Sequence, residues 1–345
     1  MMMDIPIDIM GGSSIEDDWD FPSLSNGART IVLVGRTGNG KSATGNSILG
    51  RKAYESRRSS SGITSTSELQ TTMLKDGQVI NVIDTPGLFD SSVGHECIGK
   101  EIVKCIDLAK DGVHAILVVF SVRTRFSAEE ETALQSLREF FGPKVTDYMI
   151  VVFTGGDDLE DDGETLEQYL GRQCPEPLKN ILKICKDRCA LFDNKTKDIT
   201  KKEEQVQKLL QLVDKVSEEN GGKPYTNDIF KELKKGAMKF RRQEKDVDSL
   251  QGYDKGEISA LKEQMHKTYE EQLKRITEMV EVKLKATTER LEKQLAQEHA
   301  ARLKAEESAL DAQAKSNDEI RILRENLEKA MKETEELRKN KCAIL

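Results

Sequence analysis

Metal-ligand spacing is missing from this chain. Its six cysteines (97, 105, 174, 185, 189 and 342) include no Cys-x-x-Cys and no paired Cys/His arrangement. A zinc site is thereby argued against, and free thiols in a cytosolic, reducing compartment are the simplest account. An excess of basic charge is missing too. The formal net charge is −8, which argues against nucleic acid as a partner, because a general nucleic-acid binder carries a basic field. No apolar run approaches the roughly 20 residues that span a bilayer. The N-terminus lacks the basic start and apolar core of a signal peptide, and residues 1–26 read as an acidic disordered leader. Glycine and proline are absent from Glu257 to Leu345, so that stretch lacks the residues that end helices. Its charge is mixed, 18 Lys/Arg against 19 Asp/Glu, which fits a solvated helix better than a polyelectrolyte tail.

The most informative feature present is Gly35-Arg36-Thr37-Gly38-Asn39-Gly40-Lys41-Ser42, a G-x-x-x-x-G-K-S phosphate loop. A strand-like run, Ile31 to Val34, leads into it, and Ala43 to Leu49 can open a helix. Glycines let successive N–H groups point at phosphate oxygens, and the helix N-terminus adds positive potential. Residues Gly35 to Ala43 are thus the candidate phosphate cradle, with Lys41 reaching the β- and γ-phosphates and Ser42 ligating Mg²⁺. The chain is expected to bind a nucleoside triphosphate.

Ser56 to Thr72 is too rich in hydroxyls and basic residues for a packed element. It stands where a first switch belongs, with Thr64 the first choice and Thr66 the second for a hydroxyl that joins Mg²⁺. Gln78 to Asp84 reads as a strand ending in a carboxylate that faces the phosphate loop, the place of a carboxylate holding the Mg²⁺ shell through water. Gly87, in Thr85-Pro86-Gly87, lets its N–H approach a γ-phosphate. Leu88 follows where a water-orienting Gln stands in Ras-like enzymes, so unassisted hydrolysis should be slow. Ser127 and Glu130 form a capping box before an amphipathic helix. Further strands end at Thr154-Gly155-Gly156-Asp157 and at Asp193-Asn194. Strands alternating with helices imply an α/β, Ras-like P-loop fold, a mostly parallel sheet between helices with its ligand at the strands' carboxyl ends. One carboxylate at Asp157 matches two adjacent donors on guanine, a pair that adenine lacks, so GTP is favoured over ATP. Thr154 and Asn194 are the other base-side candidates.

The phosphate loop, Asp84-Thr-Pro-Gly87, Arg125-Phe-Ser-Ala-Glu-Glu130, Phe153-Thr-Gly-Gly-Asp157 and Phe192-Asp-Asn194 together resemble the immunity-associated GTPases. These are the GIMAP/IAN or avirulence-induced AIG type, in their plant branch. The resemblance covers residues 27–235 and implies GTP/GDP binding with Mg²⁺ and a role in immunity or stress. It also implies kinship with septin-type and chloroplast-import GTPases, which dimerise through the nucleotide face. By the same resemblance Ser56 matches a serine that touches the nucleotide. Arg125 is the candidate finger supplied in trans to a partner copy, with Arg123 the alternative.

Residues 236–256 read as a linker or helical extension and 257–341 as a coiled coil. Its seam runs through Leu273, Ile276, Val280, Leu284 and Leu291, thins at Leu303 and Leu310, and resumes at Ile320, Leu323, Leu327, Ala330 and Leu337. Cys342-Ala-Ile-Leu345 matches a geranylgeranylation box with Cys342 as the lipid site. The expectation is a slow GTPase switch that self-associates through the nucleotide face and the coil, held peripherally on the cytosolic face of a membrane by the prenyl group. The alternative is a GTP-gated oligomeric scaffold with negligible hydrolysis.

Overall fold

A computed structural model describes residues 28–56, 64–87, 95–109, 111–248 and 255–342. The acidic leader, Leu88 and residues 343–345 of the lipidation box lie outside the described residues. Strands β1 (Arg29–Val34), β2 (Glu68–Met73), β3 (Val79–Asp84), β4 (Ala115–Ser121), β5 (Met149–Thr154) and β6 (Cys189–Phe192) form one sheet in the order β2-β3-β1-β4-β5-β6. Only β2 is antiparallel to its neighbour, with Glu68 opposite Asp84. The central strands β1, β4 and β5 are nearly continuous Val, Ile, Leu and Phe and are buried almost throughout, as strands covered on both faces must be.

The helices are α1 (Lys41–Leu49), α2 (His95–Leu108), α3 (Ala128–Phe141), α4 (Gly156–Asp161), α5 (Leu166–Gln173), α6 (Glu176–Ile184), α7 (Ile199–Glu219), α8 (Asp228–Asp248) and α9 (Lys255–Cys342). Alternation along β1 divides the layers. Leu33 lies beside Gly45 of α1, whereas Val32 and Val34 line one cavity with Ile102 and Ile106 of α2 and Leu137 of α3. On α7 the face that carries Leu209, Val213 and Val216 is inward, all three being buried. Pro177 does not interrupt a helix: it sits in the first turn of α6, where its missing N–H has no intrahelical bond to lose.

Two sequence expectations change. The hydroxyl-rich stretch up to Thr72 does contain an element, because Glu68 to Thr72 enter β2, an edge strand. An edge strand with one covered face tolerates Thr and Gln. The larger correction concerns the tail. Helix α8 crosses residue 235 without a break, and α9 is one helix of 88 residues, about 130 Å at 1.5 Å per residue. Its proximal part packs on α2, α3 and α8. Val280, Leu284 and Leu291 are buried there and Leu273 and Ile276 partly so. The proximal seam residues are therefore covered by the chain's own domain, where the sequence alone suggested a second coil strand. Each fully buried side chain of this kind stabilises the docking by roughly 1.5–3 kcal/mol. Lys283 lies over the Phe140 ring, 5.0 Å from its centre, and donates to the Phe140 carbonyl at 2.8 Å. Gly99 of α2 permits the close approach, since a Cβ there would stand 2.6 Å from Glu281 Cγ. From Ala296 to Thr334 every residue is exposed. No helix among the described residues is long and apolar enough to cross a membrane.

Candidate nucleotide site

The loop from Gly35 to Gly40 leaves the carboxyl end of β1 and enters α1. Gly35 has φ 147°, and a Cβ on it would meet the Val119 carbonyl oxygen at 2.5 Å, so only glycine lets the loop turn against β4. Buried Asn39 pins the loop's other side. Its Nδ2 donates to the Val119 carbonyl at 2.9 Å and to Glu130 Oε1 at 2.8 Å. The Thr154 hydroxyl donates to the Asn39 carbonyl at 2.7 Å. Lys41, at the first turn of α1, donates to the carbonyls of Gly35 at 2.8 Å and Arg36 at 3.1 Å. The cationic head is thus held over the loop that would carry the phosphates.

Beside it, three groups expected to surround Mg²⁺ come together from three elements. Ser42 Oγ donates to Asp84 Oδ2 at 2.6 Å and lies 3.1 Å from Thr64 Oγ1, and Thr64 donates to the same Asp84 oxygen at 3.4 Å. Asp84 is 1% exposed, and its Oδ1 has no hydrogen-bond partner among the described residues. Burial pushes the Asp84 carboxyl above its ordinary range, only partly opposed by the Ser42 hydrogen bond and the Lys41 charge. An orphaned carboxylate oxygen next to two hydroxyls is an oxygen-only set that fits a hard divalent cation. Thr66 takes no part, since it donates to Glu101 of α2 at 2.9 Å. Of the two switch candidates, Thr64 is the one beside Ser42 and Asp84.

The base end is built differently. Asp157, in the first turn of α4, receives Arg123 Nη2 on both oxygens at 2.6 and 2.7 Å and also pairs with Lys195. Arg123 Nε reaches Asp158 as well, at 2.5 Å. Burial acts to raise the Asp157 pKa, but Lys195 and Arg123 outweigh it and hold the carboxyl below its usual range. Asn194 is tied to α1: it accepts from Ser47 Oγ at 2.7 Å and donates to Thr44 Oγ1 at 3.1 Å. The whole cleft encloses about 570 Å³ and runs from Lys41, Ser42, Thr64 and Gly87 to Asp157 and Asn194, with Ser56 in its wall.

Residues 29–244 match the AIG1 family. The chain belongs to that family. Over 338 residues it is 60% identical to immune-associated nucleotide-binding protein 9 of Arabidopsis thaliana, covering 97% of this chain and 98% of that protein. Immune-associated nucleotide-binding protein 7 of the same plant is 48% identical over 271 residues, 79% of this chain and 87% of that protein. Among solved structures, Toc33 from Arabidopsis thaliana in complex with Mg²⁺ and GMPPNP is similar at 20% identity and a TM-score of 0.46, covering 57% of this chain and 87% of that one.

Within the AIG1 domain two of the predicted base-side residues line the cleft and also have partners in the chain. Thr154 lines the cleft, but its hydroxyl braces the phosphate loop through Asn39. Asn194 bridges to α1 with both ends of its amide. Arg123, the alternative finger, is paired within its own chain, whereas Arg125 is exposed and makes no hydrogen bond or ion pair among the described residues. Sequence reasoning missed Lys195, and it missed that Glu130 serves the phosphate loop as well as its own helix cap. Arg123 and Lys195 lie 34 and 38 positions from Asp157, so no local spacing announces the cluster.

Proposed function

We propose that this chain is a GTP-binding switch protein that needs Mg²⁺ and hydrolyses GTP slowly, faster when two copies pair across the nucleotide face. One observation carries the nucleotide part: Ser42, Thr64 and the orphaned oxygen of Asp84 converge beside a lysine-headed phosphate loop. In this reading Ser42 and Thr64 hold the cation, with Asp84 acting through its water shell, and the cation neutralises charge on the phosphates. Lys41 neutralises the rest, and Asp157 accepts from guanine. Calorimetry with GTP, GDP and ATP, each with magnesium and with chelator, tests it. Micromolar or tighter binding of both guanine nucleotides is expected, with ATP far weaker; no association of GTP or GDP in magnesium would sink the reading.

For hydrolysis, Leu88 cannot orient a water molecule, and exposed Arg125 is the group offered to a second copy. The Arg125 segment is joined to the phosphate loop through the Ser127–Glu130 cap and Glu130–Asn39. An arginine supplied in trans is worth about 10³–10⁵-fold. Turnover per protomer should therefore rise with protein concentration in the wild type and stay flat in Arg125→Ala. The absence of a water-orienting Gln also favours a second reading, a scaffold gated by GTP that barely turns over; single-turnover measurement at high protein concentration separates the two. Its similarity to proteins named immune-associated supports a role in immunity. Lipid on Cys342 would make the action peripheral to a membrane, and fractionation of Cys342→Ser against wild type tests that part.

A further inference from the structure

The proximal part of α9 turns its apolar residues onto α2, α3 and α8, so pairing along this helix falls to the distal part. There the sequence sets one heptad frame. Ile320, Leu327 and Thr334 fall at a; Leu323, Ala330 and Leu337 fall at d. Ile320, Leu323 and Leu327 are 45, 66 and 62% exposed, a stripe that nothing in the chain covers among the described residues. The same frame puts Glu319, Asn326 and Glu333 at g, and Arg324, Met331 and Arg338 at e. The ion pairs made within this stretch, Arg321 with Asp318 and Glu325 and Lys332 with Glu328, all lie at the outer b and f positions. Glu319, Arg324 and Glu333, which flank the apolar stripe, make no ion pair among the described residues.

We propose that α9 from Glu319 to Arg338 pairs with the same segment of a second copy as a parallel, in-register, two-stranded coil. The proposal rests on the self-association reading above and adds its site, direction and register. In a parallel pair each g residue faces the e residue five positions on in the other strand. Glu319 then meets Arg324 of the second copy, Glu333 meets Arg338, and Asn326 meets Met331 without charge conflict. In an antiparallel pair e faces e and g faces g, which sets arginine toward arginine and glutamate toward glutamate. A slip of one heptad leaves Glu319 opposite Met331 and removes an apolar layer. In its first layer, Ile320 at a with Leu323 at d also favours two strands. The seam is short, about two and a half heptads with Ala330 and Thr334 inside it, so alone it is weak. A parallel coil places both nucleotide domains at the same end, and each contact then raises the effective concentration for the other.

Full-length protein carrying Leu323→Cys or Glu325→Cys, with wild type as the background for native thiols, is mildly oxidised and the covalent dimer measured. In the parallel register the two copies of position 323 face each other and the two copies of position 325 point apart. Leu323→Cys should give several-fold more dimer than either comparison, and equal yields at 323 and 325 would overturn the arrangement. Glu319→Arg with Glu333→Arg should weaken self-association about tenfold or more, by turning attraction into repulsion across the seam. Adding Arg324→Glu and Arg338→Glu should restore it. Association that ignores both charge sets also overturns the proposal. Sedimentation of wild type with GDP and with GMPPNP tells two failures apart: a monomer throughout removes self-association itself, whereas a dimer that fails the cysteine test removes only the direction and register.

Discussion

Around the phosphate loop, Lys41, Asn39 and Thr154 are fixed to backbone carbonyls; at the base end, side chains are fixed to one another. Lys41, Asn39 and Thr154 bond to the carbonyls of Gly35, Arg36, Val119 and Asn39, which belong to a loop and strands that the sheet holds in place. Asp157 is held instead by the side chains of Arg123 and Lys195, which are 38 and 53% exposed. The first end is preorganised, so a phosphate chain would meet donors already aimed. At the second end, guanine bound as proposed would compete with two cations for the same two oxygens. The difference separates a part that grips any triphosphate from a part whose selectivity depends on a competition.

Changes at the gripping end should therefore have the largest effect. Lys41→Ala removes a nearly buried cation facing phosphate, a loss of about 3–4 kcal/mol or roughly 10²–10³-fold in GTP affinity. GDP and GTP should both suffer, and calorimetry that found less than tenfold weakening would mean the main-chain donors suffice. At the base end Asp157→Ala should weaken GTP by about 10²-fold, two hydrogen bonds to a charged acceptor being lost. Asp157→Asn is sharper, because it turns one acceptor into a donor. Xanthine carries a carbonyl where guanine carries its amino group, so the variant should gain XTP as it loses GTP. Unchanged preference would place base reading elsewhere.

Asp84→Asn examines the metal corner. Because burial raises the wild-type carboxyl's pKa, the ionised form at neutral pH is a destabilising charge in the folded chain, relieved as pH falls toward that raised value. The amide removes that charge. In chelator, Asp84→Asn should melt at or slightly above wild type, a gain of up to about 1 kcal/mol. Magnesium should add less to the stabilisation by nucleotide in the variant than in wild type, because Ser42 and Thr64 remain. Melting that is lower in chelator, with a magnesium increment as large as in wild type, would take Asp84 out of the cation's shell.

What could be read in advance follows the same division. The phosphate loop was legible because Gly35, Lys41 and Ser42 lie within eight consecutive residues, and the strand before them is plainly apolar. Thr64 and Asp84 were reachable because each follows or ends a recognisable stretch. The Arg123–Asp157–Lys195 cluster was not legible, since three loops meet there only after β4, β5 and β6 are paired in register. The tail shows the limit of periodicity. Leu284 and Leu327 have the same heptad spacing, yet Leu284 is 4% exposed within the domain's core cluster and Leu327 is 62% exposed. Spacing states that a stripe exists; only the packing of Gly99 against Glu281, and of Lys283 on Phe140, shows what covers it.

The smallest expected effect tests the competition directly. Arg123→Ala takes one cation from Asp157 and leaves Lys195. The pair is more than a third exposed on the arginine side, so screening limits its strength to about 0–1 kcal/mol. Freed from that partner, the carboxylate is more available to guanine, and GDP should bind about 2–5-fold tighter at low salt. The gain should fade as salt rises, because salt already weakens the wild-type pair. Arg123 has a further contact, to Asp158, so Asp158→Asn serves as the comparison and should leave GDP affinity nearly unchanged. If Arg123→Ala binds GDP more weakly at every salt concentration, the guanidinium helps hold the base, and the base end is as preorganised as the phosphate end.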